Sequence, residues 1–280
     1  MKIIVSHSTT YCYDSPVFLE PHIFRLRPRA YRAQNLLSFN LDIYPMPLGT
    51  TECLDQDGNL AINAWFNFPT QELRVVSNFT VEMFAGNPFD YIISAEALHL
   101  PVHYPEPLAT ALGPYLNAVS IASSVKEFSR AVGYGVRFNT LEYLLELSRE
   151  INRGFRQIVR PDGPPWPSGQ TLQMREGSCR DLAMLFCDAC RTKGIAARFV
   201  SGYECVPAPV DESYMHAWAE VYLPGIGWRG YDPSRGLAVT DRHIPVAAGF
   251  HHELAAPLSG WYSGNAVSKL QTALKVEVVA

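Results

Sequence analysis

The chain has 280 residues, 48% of them hydrophobic and 18% charged, which is enough apolar content to bury a core and too much for a disordered tail. A formal net charge of −4 with no basic stripe gives nucleic-acid binding no support. No run approaches the apolar length of a membrane span, and Met1 to His7 is too short for a signal-peptide core. The chain as given is therefore expected in the cytoplasm, with its six cysteines (12, 53, 179, 187, 190 and 205) reduced.

Residues 1–90 read as a β-rich unit. Ile3 to Tyr13 alternates, Leu36 to Tyr44 is a strong alternating strand, Asp55 to Asn59 is a turn, Leu60 to Phe68 is the returning strand of its hairpin, and Glu72 to Phe84 is a further strand. Short strands at this spacing predict an antiparallel β-sandwich. Residues 91–118 hold Pro101, Pro105, Pro107 and Pro114 and read as a connector with short helical turns. Ile121 to Val132 is expected to be helical. Asn139, with Glu142 in the capping-box position, opens an amphipathic helix carrying Leu141, Leu144, Leu145, Leu147, Ile151 and Phe155, expected to reach about Val159. Arg160 to Gln170 is a Pro-rich loop containing Trp166. That tryptophan either lines a cleft or, more plainly, pins the loop to the core.

From Arg175 to Glu204 the pattern is loop, helix, strand. Gly177 breaks the chain, Ser178 is an N-cap, and Asp181 places a carboxylate in the first turn, where the helix dipole favours it. Leu182, Leu185, Phe186 and Ala189 form the buried face, Gly194 sits at the C-cap, and Ala196 to Tyr203 is a strand. Cys179 stands in the first helical turn, where unpaired N–H groups and the dipole stabilise a thiolate and can hold an oxyanion. Taken alone, such a cysteine is more often a small buried hydrophobe. Downstream, two strand-like runs flank Pro224-Gly225-Ile226-Gly227 and read as a hairpin. His216 opens its first strand and Asp232 closes its second. A two-residue turn would put the two on opposite faces, so a bulge or wider turn is needed for them to meet. The segment from Asp232 through His251 reads as loop, and residues 249–280 as a tail ending in a strand that returns to the N-terminal sheet.

Gly177-Ser178-Cys179-Arg180-Asp181, His216 to Trp228 and Tyr231-Asp232-Pro233-Ser234 together resemble the bacterial transglutaminase-like superfamily. The runs His7 to Val17 and Arg25 to Arg29 resemble the β-rich domain that precedes this core in many bacterial members. The resemblance implies an α+β fold, with a β-sandwich-like N-terminal domain followed by a papain-like core (119–248) in which the cysteine-bearing helix packs on an antiparallel sheet. It also implies Cys179 as nucleophile, His216 as base and Asp232 as orienting acid, acting on a protein or peptide substrate by acyl transfer, with hydrolysis as the first outcome and transamidation as the alternative. A non-catalytic scaffold is the reading from another class. No cofactor, metal or membrane partner is implied, and no acidic calcium loop is visible. Arylamine N-acetyltransferases share the Cys-His-Asp order but lack the N-terminal pattern.

Three further residues have a place beside this trio. Gln173 lies six residues before Cys179, the spacing at which papain-type enzymes keep a glutamine that donates to the oxyanion; solvated polarity is its plainer reading. Trp218 shares the His216 face of a regular strand and is expected to pack beside the imidazole. Trp166 is the third, as a lining residue. Cys187-x-x-Cys190 falls in mid-helix, with one of the pair facing the core, where neither a redox motif nor half a zinc site has its required context.

Overall fold

Alternation in the first third of the chain does build strands. In the computed structural model, which describes residues 1–30, 33–160, 162–205 and 215–279, these are β1 (Lys2–Leu19), β2 (His22–Phe24), β3 (Gln34–Tyr44), β4 (Gly49–Leu54), β5 (Leu60–Trp65) and β6 (Pro69–Met83). Pro16 does not end β1. The strand continues through it with a register shift against β6 between Cys12 and Val17, and an irregularity of this kind is where a residue without an N–H is tolerated. The turn after β4 is built by Asp55, whose Oδ1 accepts the N–H groups of Asp57 (3.0 Å) and Asn59 (2.9 Å). Its returning strand β5 pairs with β4, a strand the alternation left unmarked, because four of its five side chains are polar or sulfur-bearing and nearly all are exposed.

The helices follow: α1 (Leu108–Ala111), α2 (Gly113–Leu116), α3 (Ser123–Gly135) and α4 (Thr140–Gly154). Asn139 caps α4, accepting the Glu142 N–H at 3.0 Å. The helix stops at Gly154 and not near Val159. Phe155 turns extended, and β7 (Arg156–Gln157) pairs in parallel with β8 (Glu176–Gly177), beside α5 (Ser168–Met174). That tertiary pairing outweighs the remaining apolar periodicity. Next come α6 (Cys179–Arg191), β9 (Ala197–Glu204), β10 (His216–Leu223), β11 (Gly227–Asp232), β12 (Leu237–Ala238) and β13 (His243–Gly249). They form a five-stranded antiparallel sheet in the order β12-β11-β10-β9-β13. The segment expected as loop after Asp232 thus supplies an edge strand. Its residues are all buried, so it shows no polar alternation, and Pro245 sits at a register shift. Leu182, Leu185, Phe186 and Ala189 of α6 pack with Tyr143, Leu144 and Leu147 of α4 and with Ala219 and Val221 of β10.

The chain closes with β14 (Leu258–Ser259), β15 (Tyr262–Ser263) and β16 (Ser268–Val279). β16 runs antiparallel to β1 over twelve residue pairs, making one sheet β16-β1-β6-β3, with β15 beside the end of β1. The second sheet is β14-β2-β5-β4. Tyr13, Val17, Phe24, Ile62, Ala64, Leu73 and Val75, contributed by both sheets, fill the sandwich between them. Ile3, Val5, Phe79 and Val81 of the first sheet pack against Ala183 of α6, Phe199 and Tyr203 of β9 and Ala217 of β10, so the N-terminal unit leans directly on the cysteine-bearing helix. The fold is α+β, strand-rich and antiparallel in its sheets.

Polar ties reinforce this junction. His7 Nδ1 and the Tyr203 hydroxyl lie 3.0 Å apart, and the Tyr115 hydroxyl donates to Asp57 at 2.6 Å. Asn59, fully buried, pairs with one residue of β13 as a strand would: its Nδ2 donates to the Ala248 carbonyl at 2.8 Å and its Oδ1 accepts the Ala248 N–H at 2.8 Å. Asn59→Ala leaves both backbone groups unpaired in the interior. It is expected to cost about 2–4 kcal/mol, read as a drop in the chemical-denaturation midpoint.

Candidate active site

The start of α6 is set by Asp181. Its carboxylate, with no exposed side-chain area, accepts the Ser178 N–H (2.7 Å), the Ser178 hydroxyl (2.7 Å), the Trp166 N–H (2.6 Å) and Arg160 Nη1 (2.6 and 2.8 Å to its two oxygens). Gly177 permits this, since a Cβ there would lie 2.7 Å from Cβ of Asp181. The Pro-rich loop is thereby fastened to the helix start, and the Arg160 guanidinium covers the Trp166 ring at 4.4 Å. Trp166 is half-buried and its backbone is what pins the loop, the plainer of its two sequence readings.

Cys179 is the first residue of α6 and only partly buried. Its thiol faces His216 and the Ala217 N–H, both of which favour the thiolate. His216 Nε2 lies 2.7 Å from Asp232 Oδ2, which leaves Nδ1 as the nitrogen that faces the sulfur. The hairpin register explains how His216 and Asp232 meet. Leu223 pairs with Gly227 and Ala219 with Tyr231, so three residues, 224–226, make the turn, helped by positive φ at Gly225 (84°) and Gly227 (81°). The odd loop changes the parity: continued, the register sets Asp232 across from Trp218, on the face His216 also occupies.

Electrostatics follow from these contacts. Burial pushes the Cys179 thiol up, but the His216 bond and charge, the Ala217 N–H and Arg180 outweigh it, and the net shift is downward. Burial opposes charge on His216, yet the Asp232 carboxylate and Cys179 hold it protonated, with its pKa raised to about 10. Asp232, desolvated but paired with His216 and His243, sits below the ordinary carboxylate range. Both shifts favour a thiolate beside an imidazolium over a neutral pair. The expected signature is a Cys179 alkylation profile whose acid limb lies below that of an ordinary thiol (pKa about 8.5), with a second inflection near pH 10 as His216 loses its proton. Mass-spectrometric counting of alkylated peptides across pH checks both limbs.

Other residues stand where the sequence did not lead. Ser234 donates its N–H (2.9 Å) and hydroxyl (2.7 Å) to Asp232 Oδ1, a turn that Asp-Pro-Ser spells locally. His243 Nε2 lies 3.1 Å from Asp232 Oδ2. Glu204 comes within 3.8 Å of His216 Nε2 and is clamped by Arg235, whose Nε and Nη2 donate to it at 2.6–3.0 Å. Trp218 is fully buried between the imidazoles of His216 (6.2 Å between ring centres) and His243 (5.2 Å), a packing position and not a cleft wall. Gln173 is exposed on α5, and no hydrogen bond joins it to Cys179 or His216 among the described residues. Cys187 and Cys190 are both fully buried, and burial pushes both thiols up, Cys187 to about 12.

Among the described residues, His216, Asp232 and His243 are the one set of groups close enough to share a cation. Their spacing argues otherwise. Ligands about 2 Å from a tetrahedral zinc lie more than 3 Å from one another, whereas 2.7 Å between Nε2 of His216 and the carboxylate is a hydrogen-bond distance.

Comparison with known proteins agrees with this architecture. Residues 3–82 match the bacterial transglutaminase-like N-terminal region, and residues 139–233 match the transglutaminase-like superfamily core. An uncharacterized protein of Mycobacterium tuberculosis is 29% identical over 271 residues, spanning 91% of this chain and 86% of that protein. Another, from Mycobacterium leprae, is 27% identical over 290 residues, with 100% and 99% covered. A crystal structure of a candidate cysteine protease from Cytophaga hutchinsonii superposes with a TM-score of 0.73 at 22% identity, covering 100% of this chain and 92% of that one. No helix among the described residues is long and apolar enough to cross a membrane. With both family regions matched in order and together covering more than half its length, the chain belongs to the transglutaminase-like superfamily, in the bacterial form that carries the β-rich N-terminal region.

Proposed function

We propose that the protein is a cysteine peptidase or amidase that cleaves an amide bond of a peptide or protein through a thioester. The single observation that carries this is His216 held 2.7 Å from the buried Asp232 carboxylate, with Cys179 at the first position of α6 as the imidazole's other electrostatic partner. The Cys179 thiolate attacks the carbonyl carbon, and the oxygen takes up the negative charge near the first N–H groups of α6. The tetrahedral species collapses as His216 Nδ1 gives its proton to the departing amine, leaving an acyl-thioester. His216, now neutral, removes a proton from water; the hydroxide attacks the thioester, and thiolate and carboxylic acid are released. Asp232 fixes the imidazole tautomer and stabilises its cation throughout.

A scaffold that had lost catalysis would have no chemical need to retain a buried carboxylate, an imidazole and a thiol at one site. The test is digestion of a peptide library with and without an added primary amine, read by mass spectrometry. New carboxyl termini are expected in both arms. Products carrying the amine in place of water would identify transamidation. A library left unchanged in both arms would exclude the proposed chemistry on peptides.

A further inference from the structure

Only residues 239–242 separate β12 from β13, yet these are the two edges of the five-stranded sheet. The link therefore runs back over the sheet, with Val239 packed on Trp218 and Val200, and it delivers His243 beside Asp232. His243 is 3% exposed, and its Nε2 is 3.1 Å from the same Asp232 oxygen that His216 approaches. Its other nitrogen fixes the tautomer. Thr240 N–H points at Nδ1 from 3.5 Å, while the Thr240 carbonyl accepts the His243 N–H at 3.2 Å. A nitrogen that accepts carries no proton, so the proton sits on Nε2 and is donated to Asp232. The Trp218 ring, edge-on at 5.2 Å, blocks the imidazole from swinging away.

Building on the nucleophilic role proposed for Cys179, we propose that His243 is the positioning residue of the site: its Nε2–H, together with the two Ser234 donors, holds Asp232 ionised and aimed at His216. A buried carboxylate keeps its charge only while its lone pairs are filled. Asp232 faces His216 from β10, His243 from β13 and Ser234 from the turn after β11. The Glu204–Arg235 pair stands beyond His216 and does not reach Asp232 with a hydrogen bond. Without the His243 donor the Asp232 carboxylate is harder to ionise. His216 then holds its proton less firmly, and Cys179 ionises only at higher pH.

The experiment is the pH dependence of Cys179 alkylation by iodoacetamide, followed on the Cys179-containing peptide, in the parent protein, His243→Phe and His243→Gln. In His243→Phe, which keeps a flat ring and removes the donor, the acid limb is expected to move up by about half a pH unit or more, and kcat to fall about tenfold with KM little changed. His243→Gln restores an N–H donor and is expected to return the limb towards the parent. An unmoved limb in His243→Phe, or a glutamine variant no better than phenylalanine, overturns the proposal; a purely structural histidine would lower the melting temperature in both without moving the limb. Should His243→Phe fail to fold, long-range proton–nitrogen NMR of the parent imidazoles decides: an Nε2–H tautomer at His243 supports the assignment and an Nδ1–H tautomer refutes it. Alkylation needs no substrate, so a parent protein inert on peptides but showing the limb shift would reject the peptidase reading while keeping this one.

Discussion

Cys179→Ala is expected to lose turnover by about four orders of magnitude or more, while its thermal melt stays within a few degrees of the parent. The two effects separate because different atoms carry them. The sulfur is the only atom in the row able to attack a carbonyl, and no other described cysteine substitutes for it: Cys187, Cys190 and Cys205 are buried with raised pKa values, and Cys12 and Cys53 lie on the N-terminal strands. The helix start, by contrast, is held by Ser178, Asp181, Arg160 and the Trp166 backbone, none of which needs the thiol. His216 keeps its Asp232 partner in the variant, so no buried charge is orphaned. Parallel peptide-cleavage assays and calorimetric melts check the split. Full residual activity would remove Cys179 from the mechanism, and a melt lowered by ten degrees or more would show that the thiol is structural.

Cys179, His216 and Asp232 could be read from the chain because each sits at an element terminus with a local mark: a glycine and an N-cap before the helix, a strand opening, and an Asp-Pro turn. The parity of the hairpin was a different matter. Whether Pro-Gly-Ile-Gly closes over two residues or three decides which face Asp232 occupies, and the backbone answers it with positive φ at Gly225 and Gly227. His243 carries no local mark at all. It lies in a strand buried on every side, beyond a loop, and its role exists only because β13 returns to the far edge of the sheet. The tail strand β16 does return to the N-terminal sheet, as expected, but its partner strand and register are non-local: Ser268 to Val279 alternates weakly, mostly exposed, and pairs with β1 more than 250 residues away in sequence. Gln173 shows the opposite case, a suggestive spacing without the contact, since α5 turns that side chain to solvent. Local chemistry marks termini, caps and turns, whereas long-range pairing decides which of these marks come together.

Asp181→Ala is expected to destabilise the protein by about 3–5 kcal/mol, the cost of breaking a buried ion pair from one side. Five donor contacts converge on this carboxylate from three residues, Ser178, Trp166 and Arg160. Alanine leaves the Trp166 and Ser178 N–H groups unpaired and strands a guanidinium that is 18% exposed. The variant also frees the 160–167 loop from the helix that bears Cys179, so alkylation of Cys179 is expected to lose its simple pH profile as well. Asp181→Asn keeps the shape and one acceptor but drops the charge, and is expected to fall between the two. The sign of the pH dependence separates charge from packing. Asp181 is pulled below the ordinary carboxylate value because the Ser178, Trp166 and Arg160 donors outweigh its burial. Its charge therefore contributes stability that is fully present above the unfolded value of about 3.9 and is lost as pH falls through the lower folded value. The gap between parent and Asp181→Ala, measured by denaturant melts, is expected to be constant from pH 5 to 8 and to shrink below about pH 4. A gap that does not change at acid pH would assign the cost to lost packing alone and remove the ion pair from the account of how this helix start is held.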